Sequence, residues 1–273
     1  MKTLNHQTSL YDADCPLCRV YTNGFISAGM LDVNGKKPFC QLTDQEQSFV
    51  DVRRASNEIA LVDNENKTVI YGIDSLLKVI GFSFPWIETV GQSQPIKFLL
   101  KKLYSFVSYN RKVIIPSKVN KALKLPCVPD FSFKYRSLYI AFAGVVTSFV
   151  LYKSLNLIDV LPKWSIATAF ILTVGQLVFQ YLFLIAIDKK SIFTYLGNLM
   201  TVSLMGSLLL LPILFLNSIF DIPQWVSFAW FALTLMTMFL EHSRRIKLLE
   251  MPFYLSVTWF IYSIIALIFI LNF

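Results

Sequence analysis

The fold of the N-terminal part of this chain is decided by the stretch Thr8-Ser9-Leu10-Tyr11-Asp12-Ala13-Asp14-Cys15-Pro16-Leu17-Cys18. Residues 8–11 have the short apolar character of a β-strand, and residues 19–30 place apolar side chains at helical spacing. The sequence therefore predicts a strand-to-helix junction, with the two cysteines at the point where the helix begins.

Further strands are predicted on the C-terminal side of this junction. Residues 38–42 favour a second strand, and residues 58–63 and 67–71 favour two more strands around a turn at 64–66, which predicts a hairpin. A helix is expected over 72–80. The resulting β-α-β-β-β-α order matches the thioredoxin-like pattern. We therefore predict a thioredoxin-like α/β domain over residues 1–85.

The two cysteines indicate thiol chemistry. A cysteine at a helix N-terminus lies near unpaired backbone amides, which stabilise its thiolate and lower its pKa. We expect Cys15 to be the more accessible nucleophile and Cys18, one turn on, to resolve a mixed disulfide. Pro16 suits the first helical turn because it has no N–H to leave unpaired. Asp12 or Asp14 could accept the proton that the resolving thiol loses.

Three other interpretations fit the same residues. Cys15, Cys18, Cys40 and Cys127 make up the four ligands that a structural zinc site requires, although the last two lack paired spacing. A strand followed by Asp12-x-Asp14 resembles the start of a haloacid-dehalogenase phosphatase motif, but Pro16 stands where that motif has Thr or Val. The cysteine pair could also be structural only. Our prediction includes neither a metal nor a cofactor.

The segment Tyr11–Cys18 resembles the signature of the DCC family of thiol-disulfide oxidoreductases, which is named for its Asp-Cys-Cys pattern. Asp12, Cys15 and Cys18 occupy the named positions. The segment Tyr71-Gly72-Ile73-Asp74-Ser75 resembles a later family motif, with Ser75 in place of Ala. The resemblance implies a thioredoxin-like fold and dithiol/disulfide exchange. Two departures are Ala13, where the family usually has Gly, and the absence of a proline between Phe39 and Phe84.

Positive charge is concentrated between this domain and the rest of the chain. Residues 86–136 contain 10 Lys/Arg and 2 Asp/Glu, whereas residues 1–85 contain 8 and 10. We predict that 86–136 is a basic connector whose helix, 96–115, lies on anionic lipid with Phe98, Leu99, Leu103, Phe106 and Val107 on one face. Cys127 in this connector is a candidate third redox thiol.

The C-terminal half predicts an all-α transmembrane bundle of five helices over residues 137–273. Hydrophobic residues make up 55% of the chain and charged residues only 15%, which argues against an ordinary soluble enzyme. Candidate spans of about 20 apolar residues run over 137–158, 164–187, 191–220, 222–240 and 251–273. We expect Gln176, Gln180 and Asn198 to form interhelical hydrogen bonds. Glu241, His242, Arg244 and Arg245 are expected to form an anchor at the membrane interface.

Loop charge predicts the orientation. With a cytoplasmic N-terminus, the inside segments contain 15 Lys/Arg and the outside segments only Lys153 and Lys163, which follows the positive-inside rule. The N-terminus lacks the apolar region of a signal peptide. We therefore expect a multi-pass plasma or inner membrane protein with a cytoplasmic N-terminus, reduced thiols and the C-terminus outside.

These patterns lead to three functional hypotheses. The first is a membrane-anchored oxidoreductase that exchanges thiols and disulfides with a protein or small-molecule partner. The second is a non-enzymatic membrane scaffold or transporter-like protein with a cytoplasmic binding head. The third, a relay of thiol electrons to quinone, is disfavoured because no cysteine lies in a predicted span. Lipid is an expected partner, whereas nucleic acid is not, since no recognition motif accompanies the basic residues.

Overall fold

The structure, a computed structural model, describes residues 2–118, 124–158 and 161–272 of the chain. The chain forms two compact units, Met1–Tyr135 and Arg136–Phe273. The first unit is an α/β domain and the second is entirely helical in the residues that the structure describes. The first unit extends well beyond residue 85, where we expected the α/β domain to end.

The elements of the first unit follow the predicted order, with additional short helices between the strands. They are β1 Gln7–Tyr11, α1 Pro16–Ser27, β2 Lys36–Pro38, α2 Asp44–Gln47, α3 Val52–Asn57, β3 Ala60–Asp63, β4 Thr68–Tyr71, α4 Ile73–Ser83, α5 Pro85–Gln92 and α6 Gln94–Ile114. The second predicted strand is shorter and earlier than 38–42, because Phe39–Gln41 forms a turn of 3₁₀ helix.

The four strands form one mixed sheet in the order β2-β1-β3-β4. β1 pairs in parallel with β2, opposing Ser9 to Lys36, and antiparallel with β3, opposing Thr8 to Val62. β3 and β4 form the predicted hairpin, with Leu61 opposite Ile70. β1 is therefore a central strand, and the cysteine motif begins where this strand ends.

Alternation along β3 divides the core between the two faces of the sheet. Ala60 and Val62 pack on one face with Leu10, Phe39 and Val50. Leu61 packs on the other face, in a cluster with the buried residues Leu4, Leu31 and Val79. Burial on both faces fixes the register of β3, since a slip of one residue would exchange its side chains between the faces.

The junction between β4 and α4 contains the second sequence motif. Gly72 has a φ of 63°, and an added Cβ would lie 2.7 Å from the Glu58 carboxylate. Both features favour glycine at this position. The Tyr71 hydroxyl accepts a hydrogen bond from the Asp51 amide at 2.8 Å, so in this structure the motif holds backbone segments together.

The predicted connector is in large part a component of the first unit. Tyr104 of α6 accepts a hydrogen bond from the Ile59 amide at 2.7 Å, and Ser108 donates to the Asn57 carbonyl. The prediction that α6 rests on lipid through one apolar face is therefore incomplete. Phe98, Leu99 and Leu103 are exposed, whereas the polar face with Tyr104, Ser108 and Arg111 packs against protein.

Five helices make up the described part of the second unit. They are α7 Phe133–Leu155, α8 Ile166–Leu182, α9 Lys189–Asn217, α10 Gln224–Leu248 and α11 Tyr254–Asn272, of which α7 begins at the end of the first unit. Phe273, the last residue of the fifth predicted span, lies outside the described residues.

Among the described residues, three helices are long and apolar enough to cross a membrane: α7, α9 and α11. α8 is apolar but has only 17 residues. In α10 the apolar stretch 225–240 is bounded by Gln224 and Glu241, and is shorter than the ~20 residues typical of a crossing helix. The chain therefore has the composition of a membrane protein, while a bundle of five crossing helices is not confirmed.

The hydrogen bond from Ile59 to Tyr104 leads to a stability prediction. Tyr104→Phe should lower the free energy of unfolding by about 1–3 kcal/mol, because it leaves the Ile59 amide unpaired beneath α6. Thermal unfolding of the full chain in detergent would measure this change. Tyr109→Phe on the same helix is the control, and an equal loss of stability in both variants would contradict the assignment.

Candidate functional site

Cys15 and Cys18 lie where β1 passes into α1, as predicted. Cys15 is the N-cap residue of α1, Pro16 occupies its first turn, and Cys18 lies within the helix. The turn before the helix is closed by two hydrogen bonds to Asp12, one from the Cys15 amide to the Asp12 carbonyl and one from the Asp14 amide to Asp12 Oδ1. The motif is therefore ordered by its own backbone and by the first aspartate.

Cys15 is less accessible than we expected. Its exposed fraction is 0%, and that of Cys18 is 6%. The prediction that Cys15 is the more open thiol is wrong for this structure. The reason is that residues beyond the expected domain, Arg111 and Lys112 of α6 among them, contact the motif and bury it.

Asp12 forms the principal ionic contact of the site. Its carboxylate is 4% exposed and lies 2.9 Å from Lys112 Nζ and 3.7 Å from Arg111 Nη2. A carboxylate buried to this extent requires such partners. Sequence reasoning identified Asp12 but missed both cations. The signal that could have found them is the Arg-Lys pair at positions 111 and 112, on a helix whose other lysines precede it by about two turns or more.

Arg111 joins the motif to the segment before β3. Its guanidinium donates to the Ser56 carbonyl at 2.7 Å and to the Asn57 carbonyl at 3.1 Å. Arg111 Nη2 also lies 3.6 Å from the sulfur of Cys127. Arg111 thus contacts the carboxylate of Asp12, two backbone carbonyls and a third thiol.

The two cysteines of the motif differ strongly in acidity. The hydrogen bond from the Cys18 thiol lowers the pKa of Cys15 to about 6; burial and Asp12 oppose this shift and Arg111 adds to it. The same hydrogen bond, together with burial, raises the pKa of Cys18. At pH 7 Cys15 is therefore mostly thiolate, by about ten to one, and Cys18 is the protonated donor.

The charges at the site also favour one thiolate. Lys112 and Arg111 bring two positive charges to the motif, and Asp12 brings one negative charge. These three groups together carry a single net positive charge, which one thiolate on Cys15 neutralises. Because a nearby cation stabilises an anion in a buried site, this balance agrees with the lowered pKa of Cys15.

A cavity of about 280 Å³ adjoins the motif. Its walls are mostly apolar side chains, among them Leu17, Ile59, Leu76, Leu100 and Val107. Its polar lining includes Asp12, Cys18, Tyr21, Tyr104, Arg111 and Cys127. Cys18 and Cys127 therefore face the same space, whereas Cys15 is not part of the lining.

The remaining predicted site residues have different positions. Asp14 is partly buried beside Cys15, and its side chain is not part of the cavity lining. Burial raises the pKa of the Cys127 thiol to about 12, so Cys127 is protonated at neutral pH. Cys40 lies in the 3₁₀ turn and does not line the cavity. Within residues 2–118, 124–158 and 161–272, no group of three or more His, Cys, Asp or Glu side chains could hold a metal ion.

The second unit contains a separate buried polar cluster. Gln180 accepts hydrogen bonds from Tyr195 at 2.9 Å and from Thr258 at 3.1 Å, so the interhelical bonding expected of Gln180 is found. His242 is 2% exposed, and its ring nitrogens lie 3.2 Å from the Tyr195 hydroxyl and 3.3 Å from the Ser256 hydroxyl.

Arg245 extends this cluster along α10. It is buried, and its guanidinium donates to Asn198 Oδ1 at 2.9 Å and to Glu241 at 2.8 Å. The expectation that His242 and Arg245 form an interfacial anchor is therefore wrong, because both pack inside the helical unit. Arg244, which also donates to Glu241, is half exposed.

Comparison of the chain with protein-family models, with curated proteins and with solved structures gives no match.

The charge balance at the motif predicts opposite effects of two substitutions. Arg111→Met removes a cation and should raise the pKa of Cys15, whereas Asp12→Asn removes an anion and should lower it. The pH dependence of thiolate absorbance, or of alkylation of the full chain in detergent, would measure both shifts. Lys102→Met, an exposed change on the same helix, is the control. Shifts of the same sign in the two site variants would contradict the electrostatic account.

Proposed function

We propose that the chain is a membrane-anchored thiol-disulfide oxidoreductase in which Cys15 is the nucleophile and Cys18 the resolving thiol. The observation that carries this proposal is the position of Cys15 at the N-cap of α1, with Cys18 in the first turn and Asp12, Lys112 and Arg111 beside the motif; the lowered pKa of Cys15 agrees with it. A thiolate with a hydrogen-bonded thiol one helical turn away is the arrangement that disulfide exchange requires.

The lowered pKa favours Cys15 as the nucleophile, whereas the larger exposed fraction favours Cys18. The sizes of the two effects decide between the thiols. The accessible fractions differ by only a few per cent of the side chain. A pKa near 6 gives Cys15 a large majority of thiolate at pH 7, whereas Cys18 remains a thiol. A less basic thiolate is intrinsically less nucleophilic, but with a Brønsted slope of about 0.4–0.5 this loss is smaller than the gain in thiolate fraction.

In the proposed reaction the Cys15 thiolate attacks a substrate disulfide and releases one thiolate. Asp12 then accepts the proton of Cys18, and the Cys18 thiolate attacks the sulfur of Cys15 and releases the second product. Pro16 begins the helix that holds the two sulfurs together, and Asp14 closes the turn before it. Cys127 is a candidate auxiliary thiol, since it lines the same cavity as Cys18.

The resemblance to the DCC family supports this proposal. The observed sheet order β2-β1-β3-β4, with β1 and β2 parallel, is compatible with a thioredoxin-like head. The motif Asp12…Cys15…Cys18 lies at the carboxyl end of a central strand, where open α/β sheets commonly place their sites. The segment before β3, which lacks a proline, is bound instead by Arg111 and Ser108.

The three long apolar helices support the membrane part of the proposal. We propose a multi-pass protein with the head and its reduced thiols in the cytoplasm, since Lys and Arg are concentrated in the segments that this orientation places inside. All five helices of the second unit cross the bilayer in this proposal, so the C-terminus lies outside.

The assignment of the thiols predicts three distinct variants. Cys15→Ser should abolish exchange with a model disulfide. Cys18→Ser should retain the first attack and accumulate a mixed disulfide on Cys15, which mass spectrometry of the full chain would locate. Cys40→Ser is the matched control and should retain exchange, because Cys40 does not line the cavity. Exchange by the wild type should rise as the pH increases through about 6, because the reactive form of Cys15 is the thiolate.

Two results would contradict these roles. A mixed disulfide on Cys18 in Cys15→Ser, with none on Cys15 in Cys18→Ser, would reverse the two thiols. If neither cysteine reacts with any disulfide, the non-enzymatic binding head becomes the better hypothesis and the cysteine pair is structural.

The orientation is tested by reporter fusions. A reporter attached after Phe273 should be active only outside the cytoplasm, and one attached before Met1 only inside it. Activity of both reporters on the same side would require an even number of crossings, which would remove at least one of the five proposed spans.

A further inference from the structure

From the cavity beside Cys18 we infer the substrate class of this site: a small, uncharged, mainly apolar disulfide rather than a disulfide within a protein chain. The inference rests on the proposed function, since it concerns the partner of the Cys15–Cys18 pair. Four observations support it. They are the burial of the thiols, the hydrogen bonds that already occupy the nearby backbone groups, the size and lining of the cavity, and the charge of the site.

A protein substrate has no direct approach to the sulfurs in this structure. Cys15 is fully buried and Cys18 nearly so. A sulfur atom in a folded partner is carried on backbone that needs several ångströms of clearance, whereas Cys18 faces a cavity of about 280 Å³. A molecule that enters this cavity can reach the cysteine pair without displacing secondary structure.

The backbone that could bind an extended peptide is already occupied. The Ile59 amide donates to Tyr104, and the Ser56 and Asn57 carbonyls accept from Arg111. Pairing of a partner strand depends on free backbone amides and carbonyls at an edge. Because α6 satisfies these groups, a peptide would have to break three hydrogen bonds before it could pair here.

The size and walls of the cavity fit a small apolar molecule. An apolar cavity of about 150 Å³ holds benzene, and typical ligand sites begin at about 300 Å³. The cavity therefore has room for a compact molecule larger than benzene. Leu100 and Val107 line it from α6 and Leu76 from α4, while Leu103 at its edge is half exposed, which indicates an entrance on that side.

The charges of the site favour a neutral ligand with one hydrogen-bond acceptor. Asp12 and the Cys15 thiolate together balance Lys112 and Arg111, and Glu58, which also lines the cavity, is paired with Arg54 at 3.4 Å. A charged ligand would therefore leave a net charge in a buried space. Arg111 is 7% exposed as a side chain, and its Nε has no hydrogen-bond partner although it is buried. A carbonyl or hydroxyl oxygen on the ligand would satisfy this donor.

The reaction with such a disulfide balances without another reactant. Cys18 lines the cavity and is hydrogen-bonded to Cys15, so rotation of the Cys18 side chain about its Cα–Cβ bond moves its sulfur aside and opens the Cys15 thiolate to a substrate in the cavity. Cys15 attacks one sulfur, the substrate S–S bond breaks, and the first thiolate takes a proton from water. Cys18 passes its proton to Asp12 and attacks the sulfur of Cys15. The second thiolate leaves with the proton from Asp12, so two electrons pass from the protein dithiol to the substrate.

The test compares three oxidants in single-turnover oxidation of the reduced full chain in detergent. The first is dipropyl disulfide, which is small and neutral. The second is glutathione disulfide, which is charged. The third is oxidised lysozyme, whose disulfides lie within a protein chain. The rate of formation of the Cys15–Cys18 disulfide should be at least tenfold higher with dipropyl disulfide than with either of the others, after correction for the reaction of each oxidant with a free thiol.

A matched pair of variants links this preference to the cavity. Leu100→Phe narrows the cavity and should reduce the rate with dipropyl disulfide severalfold, with little change in the pKa of Cys15. Leu99→Phe, at a neighbouring position that is 66% exposed, should leave the rate unchanged. A milder change, Leu100→Met, keeps the result interpretable if the larger side chain impairs folding.

The outcomes separate the inference from the proposed function. If lysozyme disulfides oxidise the chain as fast as dipropyl disulfide, or if Leu100→Phe and Leu99→Phe behave alike, the substrate class is wrong and the oxidoreductase proposal stands. If none of the three oxidants forms the Cys15–Cys18 disulfide, the oxidoreductase proposal itself fails and the inference fails with it.

Discussion

The ion pair between Asp12 and the two cations of α6 is the interaction on which the head depends. It joins the end of the central strand to a helix that follows about 100 residues later in the chain. Breaking a buried pair by removing one partner costs about 3–5 kcal/mol, because the other charge is left uncompensated. The same contact brings positive charge close to Cys15, so the packing of α6 and the electrostatics of this thiol depend on one set of atoms.

The helical unit also buries ionisable side chains, and different residues bind them. Arg245 and His242 are buried among apolar helices, and each is bound by polar side chains of neighbouring elements, Asn198 and Tyr195 respectively. Ionisable groups in a membrane environment face the interior and pair in this manner. In both units, therefore, buried charge is tolerated because specific partners are supplied from distant parts of the sequence.

The order of elements in the head was predictable from local patterns, because strands, hairpin and junction each have a local signature in the sequence. The strand ending at Tyr11, the hairpin around residues 64–66 and the position of Cys15 at the start of α1 all follow from such signatures. The role of α6 was not predictable in this way. Its lysines and apolar residues fit a helix on lipid equally well, and only tertiary contacts, such as those of Tyr104 with Ile59 and of Lys112 with Asp12, distinguish the two.

The prediction that Cys15 is the more accessible thiol is wrong for the same reason, because the residues that bury it are distant in the sequence. A helix N-terminus is commonly open to solvent, and nothing near Cys15 in the sequence indicates a cover over it. The cations that contact the motif, Arg111 and Lys112, lie about 100 residues away, in a basic segment whose composition equally fits a helix on lipid. Burial of His242 and Arg245 was missed for a related reason, since a charged run at the end of an apolar helix is also the pattern of an interfacial anchor.

Because the first compact unit ends at Tyr135, the gene segment that encodes a complete head is longer than the segment that encodes the cysteine motif and the sheet. A gene rearrangement that moved only the first 85 codons would transfer the cysteines and Asp12 but leave Lys112 and Arg111 behind. The fragment would carry a buried carboxylate without its counterions and an uncovered apolar wall. A gene segment that encodes the complete head must include α6 and residues 124–135, and these residues lead directly into α7. The part of the gene that encodes the complete head is therefore contiguous with the part that encodes α7, so the head and its first long apolar helix are inherited together.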